Sequence, residues 1–220
     1  MPFALRIKLV PFLALMAMLA LASALPGGGA AAQAGDAAPA AAAAPRFVSA
    51  QQAIDRLTSA DGQLRFDVAE DMTKFAVAPA PRDDDGLPVY GNAFVTQGYI
   101  YPYGTLSGSN GVLADGSPEF PDKVLGKWVC RGWFVGDFAT TTTGEIVVTT
   151  QVYTFGSGFD TAMLVTDGFE LADVDKQIER AITGGTGPYA NAGGEGHQVL
   201  LGLNASEGVN LRYELDVQTS

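Results

Sequence analysis

The chain has 220 residues, 47% of them hydrophobic, with 24 acidic against 13 basic side chains and a formal net charge of −11. That charge opposes nucleic acid and anionic membrane surfaces as partners. The only cysteine, Cys130, excludes an intrachain disulfide. The only histidine, His197, excludes a multi-histidine metal centre, and no motif asks for a cofactor.

At the N-terminus, Arg6 and Lys8 precede an uncharged apolar run from Leu9 to Leu25. Pro26, three glycines and the small-residue sites Ala30-Ala31-Ala32 and Ala32-Gln33-Ala34 follow. Residues 1–34 therefore read as a signal peptide, which predicts a secreted or periplasmic protein with no stable membrane insertion after cleavage. The alternative is an uncleaved anchor, since the run approaches the ~17 residues that span a bilayer. Residues 35–45 are almost entirely Ala and Pro, a composition with nothing to bury, and read as a flexible linker. Residues 46–220 make one domain large enough for a real core.

Within that domain Ala50 to Leu57 spaces Ala53, Ile54 and Leu57 as a short helical stripe. Eight segments rich in Val, Thr, Phe, Tyr and Ile then read as strands: Leu64–Met72, Val89–Tyr101, Lys127–Phe138, Gly144–Phe155, Thr161–Phe169, Gln177–Thr183, Gly196–Leu203 and Asn210–Val217. Asp-Gly turn dipeptides at residues 61, 85, 115 and 167 punctuate them. Eight segments joined mostly in sequence predict an all-β, closed, mostly antiparallel eight-stranded β-barrel, with a two-sheet sandwich as the alternative.

Period-two alternation assigns faces. Leu64, Phe66 and Val68 share one, as do Trp128, Cys130, Gly132 and Phe134, and Leu211, Tyr213, Leu215 and Val217. Ile146, Val148, Thr150 and Val152, and likewise Val199, Leu201 and Leu203, form further sets. All of these are expected to point into the lumen. An eight-stranded barrel is wide enough to be filled by side chains or to admit one small ligand.

The run Gly184-Gly185-Thr186-Gly187-Pro188-Tyr189-Ala190-Asn191-Ala192-Gly193-Gly194 stands between the sixth and seventh strands. Residues 185–190 formally match a dinucleotide fingerprint, but Pro188 and the later glycines forbid the helix such a turn must open. The spacing Gly-Gly-Thr-Gly-x-Tyr-x-x-Ala-x-Gly resembles the signature shared by allene oxide cyclases and plant dirigent proteins. That resemblance implies a small antiparallel barrel holding a small hydrophobic molecule, no cofactor, and assembly as a homotrimer. It makes the motif itself architectural and implies a cofactor-free cyclase or isomerase, or a protein controlling stereochemistry. The alternative is a secreted binding or structural barrel with a packed lumen.

Candidate polar groups follow from the face assignment. Glu70 is in phase with Phe66 and Val68, where desolvation would raise its pKa. His197 is in phase with Val199, near one end of its strand, and Tyr213 sits among lumen residues. Trp128, Cys130 and Phe134 would form the apolar wall. Tyr101, one of three tyrosines at period two with Tyr99 and Tyr103, would join the ligand site. Each has a plainer reading: a solvated Glu70 beyond a bend, an exposed His197 after a turn, tyrosines packed at a rim, and Cys130 as a small buried hydrophobe. Asp83-Asp84-Asp85-Gly86 lacks the alternating acids of a calcium loop and reads as a solvated turn. Asn204-Ala205-Ser206 is a formal glycosylation sequon.

Overall fold

A computed structural model describes residues 44–157 and 162–219. The signal peptide, nearly all of the linker and Thr161 lie outside the described residues. Ser49 opens helix α1 (Ala50–Leu57) with a capping box, its side chain accepting from Gln52 N while the Gln52 side chain accepts from Ser49 N. Strands follow as β1 (Leu64–Val77), β2 (Ala93–Pro102), β3 (Gly126–Phe134), β4 (Glu145–Phe155), β5 (Met163–Leu171), β6 (Gln177–Thr186), β7 (Gly193–Leu203) and β8 (Val209–Gln218). Each pairs antiparallel with the next, and β8 pairs back onto β1, closing the barrel. Closure satisfies every strand edge, so the sheet needs no covering element to protect it.

The glycine run joins β6 to β7, as its position between two apolar segments predicts. A side chain at Gly185 would collide with Met163 O and with the backbone of Tyr189, and Gly187 holds a left-handed φ of 61°. Both positions require glycine because the chain folds back on itself here. The turn presses Tyr189 inward, where its ring lies 5.7 Å from Phe155.

One end of the barrel is closed. Ala53 and Leu57 of α1 pack with Leu64, Leu125, Phe155, Leu164, Tyr189, Ala192 and Leu215. Further in, Phe66 stacks on Tyr213 at 5.1 Å and meets Tyr153 edge-on at 5.1 Å and Phe155 at 6.1 Å. This inner half of the lumen is a side-chain core. The opposite end carries a separate apolar cluster of Phe134, Ile146 and Val147, with Phe75, Val77, Phe94 and Phe138 packed against it.

Face assignments hold for β1, β3 and β8 and fail for two strands. On β4 the buried inward residues include Thr149, Gln151, Tyr153 and Phe155, with Val148, Thr150 and Val152 half-exposed outside. On β7 the inward residues are Gly196, Gln198 and Leu200, leaving His197, Val199 and Leu201 outside. In both strands polar side chains, Thr149 and Gln151 on β4 and Gln198 on β7, take inward positions while Val148, Val152 and Val199 face outward, because the lumen contains a polar layer.

Candidate functional site

That layer lies between the aromatic core and the apolar rim. Its hub is the Gln151 side-chain amide. Gln151 Oε1 accepts from Trp128 Nε1 at 3.1 Å, from the Tyr153 hydroxyl at 2.7 Å and from the Tyr213 hydroxyl. Because an indole N–H only donates, the amide oxygen must face the core. The amide nitrogen therefore faces the mouth, where it donates to Glu170 Oε1 at 2.9 Å and to Gln198 Oε1 at 3.1 Å.

Glu170 collects donors from four strands. Thr149 Oγ1 donates to Oε1 at 2.6 Å and Cys130 Sγ approaches the same oxygen at 3.7 Å, while Gln198 Nε2 donates to Oε2 at 3.0 Å. Arg180 Nη1 stands 3.9 Å from Oε1. The Arg180 guanidinium is wholly buried and spends its donors on Thr166 Oγ1, the Thr149 carbonyl and hydroxyl, and the Phe169 carbonyl. Burial pulls its pKa down, but the Glu170 charge and the neighbouring tyrosines outweigh this and hold it raised. Gly168 leaves the space through which the Arg180 stem crosses. An Arg–carboxylate pair with this many additional hydrogen bonds meets the condition under which a buried ion pair is tolerated.

Glu70 is the second carboxylate of the layer. It points into the lumen from β1, is 5% exposed, and accepts from Val209 N at 2.8 Å. Its backbone carbonyl takes Asn204 Nδ2 at 2.9 Å and Ser206 Oγ at 3.2 Å, which fixes the strand where the side chain leaves it. Burial pushes the Glu70 pKa up to about 7, with the Glu170 and Asp71 charges adding to the rise. The Thr96 hydroxyl, 2% exposed, is the largest influence opposing that rise, followed by the Val209 amide, although it makes no hydrogen bond of ordinary geometry. Two carboxylates in one layer thus differ sharply: Glu170 is saturated with donors, and Glu70 is not.

Of the expected site residues, Glu70, Tyr213, Trp128 and Cys130 meet in or beside this layer, and Phe134 stands above it in the rim. Burial, and then the Glu170 charge, push the Cys130 thiol well up. Burial likewise raises the Tyr213 phenol. His197 does not join them. It is exposed on the outer face, its cross-strand neighbours being Glu179 and Glu214. Tyr101 is buried, but outside the barrel wall. The long β2–β3 connection folds over β1 and β8 there, and the Tyr101 hydroxyl donates to Gly111 O at 2.7 Å. The same connection buries Asp67, which accepts from Arg212 and Leu106 N. A strand residue can therefore be fully buried on its outer face, and parity alone distinguishes the two cases.

Sequence reasoning missed Thr149, Gln151, Thr166, Glu170, Arg180 and Gln198. The usable signal was polarity at alternate positions: Thr149 and Gln151 are in phase with Tyr153 and Phe155, and Thr166 and Glu170 with Leu164. Asn204 is buried and spends its amide on Glu70 O and Asn210 Oδ1, so the sequon serves the fold. The Asp83 carboxylate accepts from Asp85 N and Leu87 N within its own turn. Among the described residues no group of three His, Cys, Asp or Glu side chains is placed to hold a metal, and no helix is long and apolar enough to cross a membrane.

Among solved structures, the pterocarpan synthase dirigent protein PsPTS1 aligns with a TM-score of 0.51 at 16% identity, over 70% of this chain and 92% of its own. The fold is dirigent-like. The pterocarpan synthase dirigent protein GePTS1 aligns at 0.49 and 17% identity, over 70% and 82% of the two chains. A pyocyanin demethylase aligns at 0.44 and 17% identity, over 71% and 99%. No protein-family model and no curated protein sequence matches the chain. At such identities a dirigent-like barrel is a statement of architecture, and the chemistry must be argued from the layer itself.

Proposed function

We propose that the rim end of this barrel binds a small, mostly apolar molecule and that Glu70 exchanges a proton with it, without a cofactor. The observation that carries this reading is the buried Glu70 carboxyl, held near neutrality between two apolar clusters. A general acid or base works best when its pKa lies near the working pH, and such groups typically contribute about 10²–10⁴-fold. Glu170 supplies fixed negative charge, oriented by Gln151, Gln198 and Thr149. Phe75, Phe94 and Phe134 supply an apolar wall that orients the substrate and excludes water. An isomerisation or cyclisation needs no more than this: one group to move a proton, and a surface that selects one conformer. The packed inner half confines the ligand to the layer and the rim.

Export by a signal peptide and assembly as a homotrimer belong to the same proposal. An outward apolar row of Trp133, Val148 and Phe169, consecutive cross-strand neighbours, is the face such an assembly would cover. Trp133 and Phe169 are 53% and 51% exposed. Sedimentation of the purified protein tests the trimer.

A second reading, a structural barrel with no ligand, is favoured by the dense aromatic packing around Phe66. Mass spectrometry of organic extracts of the protein purified from its own host separates the two. A retained unsaturated or aromatic molecule, converted by the wild-type protein and about 10²-fold more slowly by Glu70→Gln, supports the first reading. An empty protein, with no effect of Glu70→Gln on any turnover, supports the second.

A further inference from the structure

The charges of the layer do not balance, and the imbalance says what its ligand carries. Arg180 and Glu170 compensate one another across 3.9 Å. Among the described residues no cation forms an ion pair with Glu70. Glu70 accepts the Val209 amide, and the described side chains around its carboxyl are Thr96 from β2, Asp71 on its own strand, Cys130 from β3 and Glu170 from β5. Two of these four neighbours are acids and none is a cation. The ionised layer is therefore one positive charge short.

Two further observations place the missing charge. The Thr96 hydroxyl is buried beside Glu70 with no hydrogen-bond partner of ordinary geometry, an acceptor that a ligand N–H would satisfy. Directly above it on the same strand face stands Phe94, its ring stacked on Phe75 at 5.5 Å and tilted against Phe134 at 5.3 Å. Aromatic faces beside carboxylates attract organic cations through the ring quadrupole as well as the formal charge.

We infer that the ligand is a flat aromatic or unsaturated molecule bearing a protonated nitrogen, its charge against Glu70 and Thr96 and its frame among Phe75, Phe94 and Phe134. This rests on the reading of the rim end as a ligand site and narrows it to a cationic class. Binding such a ligand requires Glu70 ionised, so uptake at mildly acidic pH releases a proton.

Isothermal titration calorimetry with three probes of one shape tests this: 2-naphthylmethylamine (a cation), 2-naphthylmethanol (neutral, with a donor retained) and 2-naphthoate (an anion). At pH near 8 the amine is expected to bind at least about tenfold more tightly than the alcohol, and the carboxylate most weakly. As pH falls to about 6, through the Glu70 value of about 7, the amine should lose that advantage while the alcohol is unchanged. Glu70→Gln should bring the amine to the affinity of the alcohol at both pH values. The pH series on the wild-type protein carries the test if that variant does not fold. Equal binding of amine and alcohol overturns the cationic class and leaves the ligand site standing. Binding of none of the three overturns both.

Discussion

The two halves of one lumen are built from the same alternation of strand residues and differ in everything else. Around Phe66 the inner half is filled by rings in edge and stacked contact, and the hydroxyls of Tyr153 and Tyr213 point away toward Gln151. The half toward the rim contains two carboxylates, a buried guanidinium and a hydroxyl without a partner. The first arrangement gains stability from burial. The second costs stability, since a buried carboxyl that must ionise near neutrality opposes folding. A fold retains such a layer against that cost when the layer does something, and the tightly packed inner half supplies the rigidity that holds it in place.

The comparison is broken most severely at the inner half. Phe66→Ala removes the ring that touches Tyr153, Phe155 and Tyr213, and should destabilise the protein by roughly 3–5 kcal/mol in urea unfolding. A loss under about 1 kcal/mol would mean the inner half is loosely filled and open to ligand. At the rim end the sign reverses. Folded Glu70 keeps its proton up to about 7, whereas the unfolded side chain releases it near 4.5, so wild-type stability falls as pH rises between these values. By pH 8 this one group costs about 3 kcal/mol, order of magnitude. Glu70→Gln should therefore be the more stable protein at pH 8 and show no advantage at pH 4, read as the difference in Tm across the two buffers.

Two smaller changes sharpen the contrast. Ser49→Ala removes the cap of the helix that closes the inner end, and should cost about 1 kcal/mol without altering ligand binding. His197→Ala, on the exposed outer face, should change stability by no more than about 0.5 kcal/mol and leave binding untouched. A large effect of His197→Ala on turnover would restore it to the site and contradict the face assigned to β7.

Strand positions were legible almost throughout, because turn dipeptides and β-branched runs are local signals. The glycine run was legible because close approach at Gly185 and a positive φ at Gly187 leave a trace in the residue type itself. The layer was not. Hydrophobic alternation assumes that the inside is the apolar side. On β4 the inward Thr149 and Gln151 alternate with outward Val148 and Val152, and on β7 the inward Gln198 lies between outward His197 and Val199. The misassigned faces of β4 and β7 carry Thr149, Gln151 and Gln198, so for these three the failed assignment and the missed residue are one event. Thr166, Glu170 and Arg180 instead lie on β5 and β6, to which no face was assigned. The layer breaks the local rule by placing polarity inside. Glu70 escaped because β1 is regular up to that point, with Phe66 and Val68 fixing the phase, and its register shift falls only beyond Asp71.

The chemistry proposed for the rim end depends on the protonation of one side chain. A carbon-13 NMR titration of the Glu70 carboxyl, assigned by its disappearance in Glu70→Gln, measures it directly. The account predicts a midpoint of about 7, moved downward when Glu170 is replaced by glutamine, because the Glu170 charge helps to raise it. A midpoint near the ordinary 4.5 would contradict it, leaving a barrel whose polar layer serves structure alone.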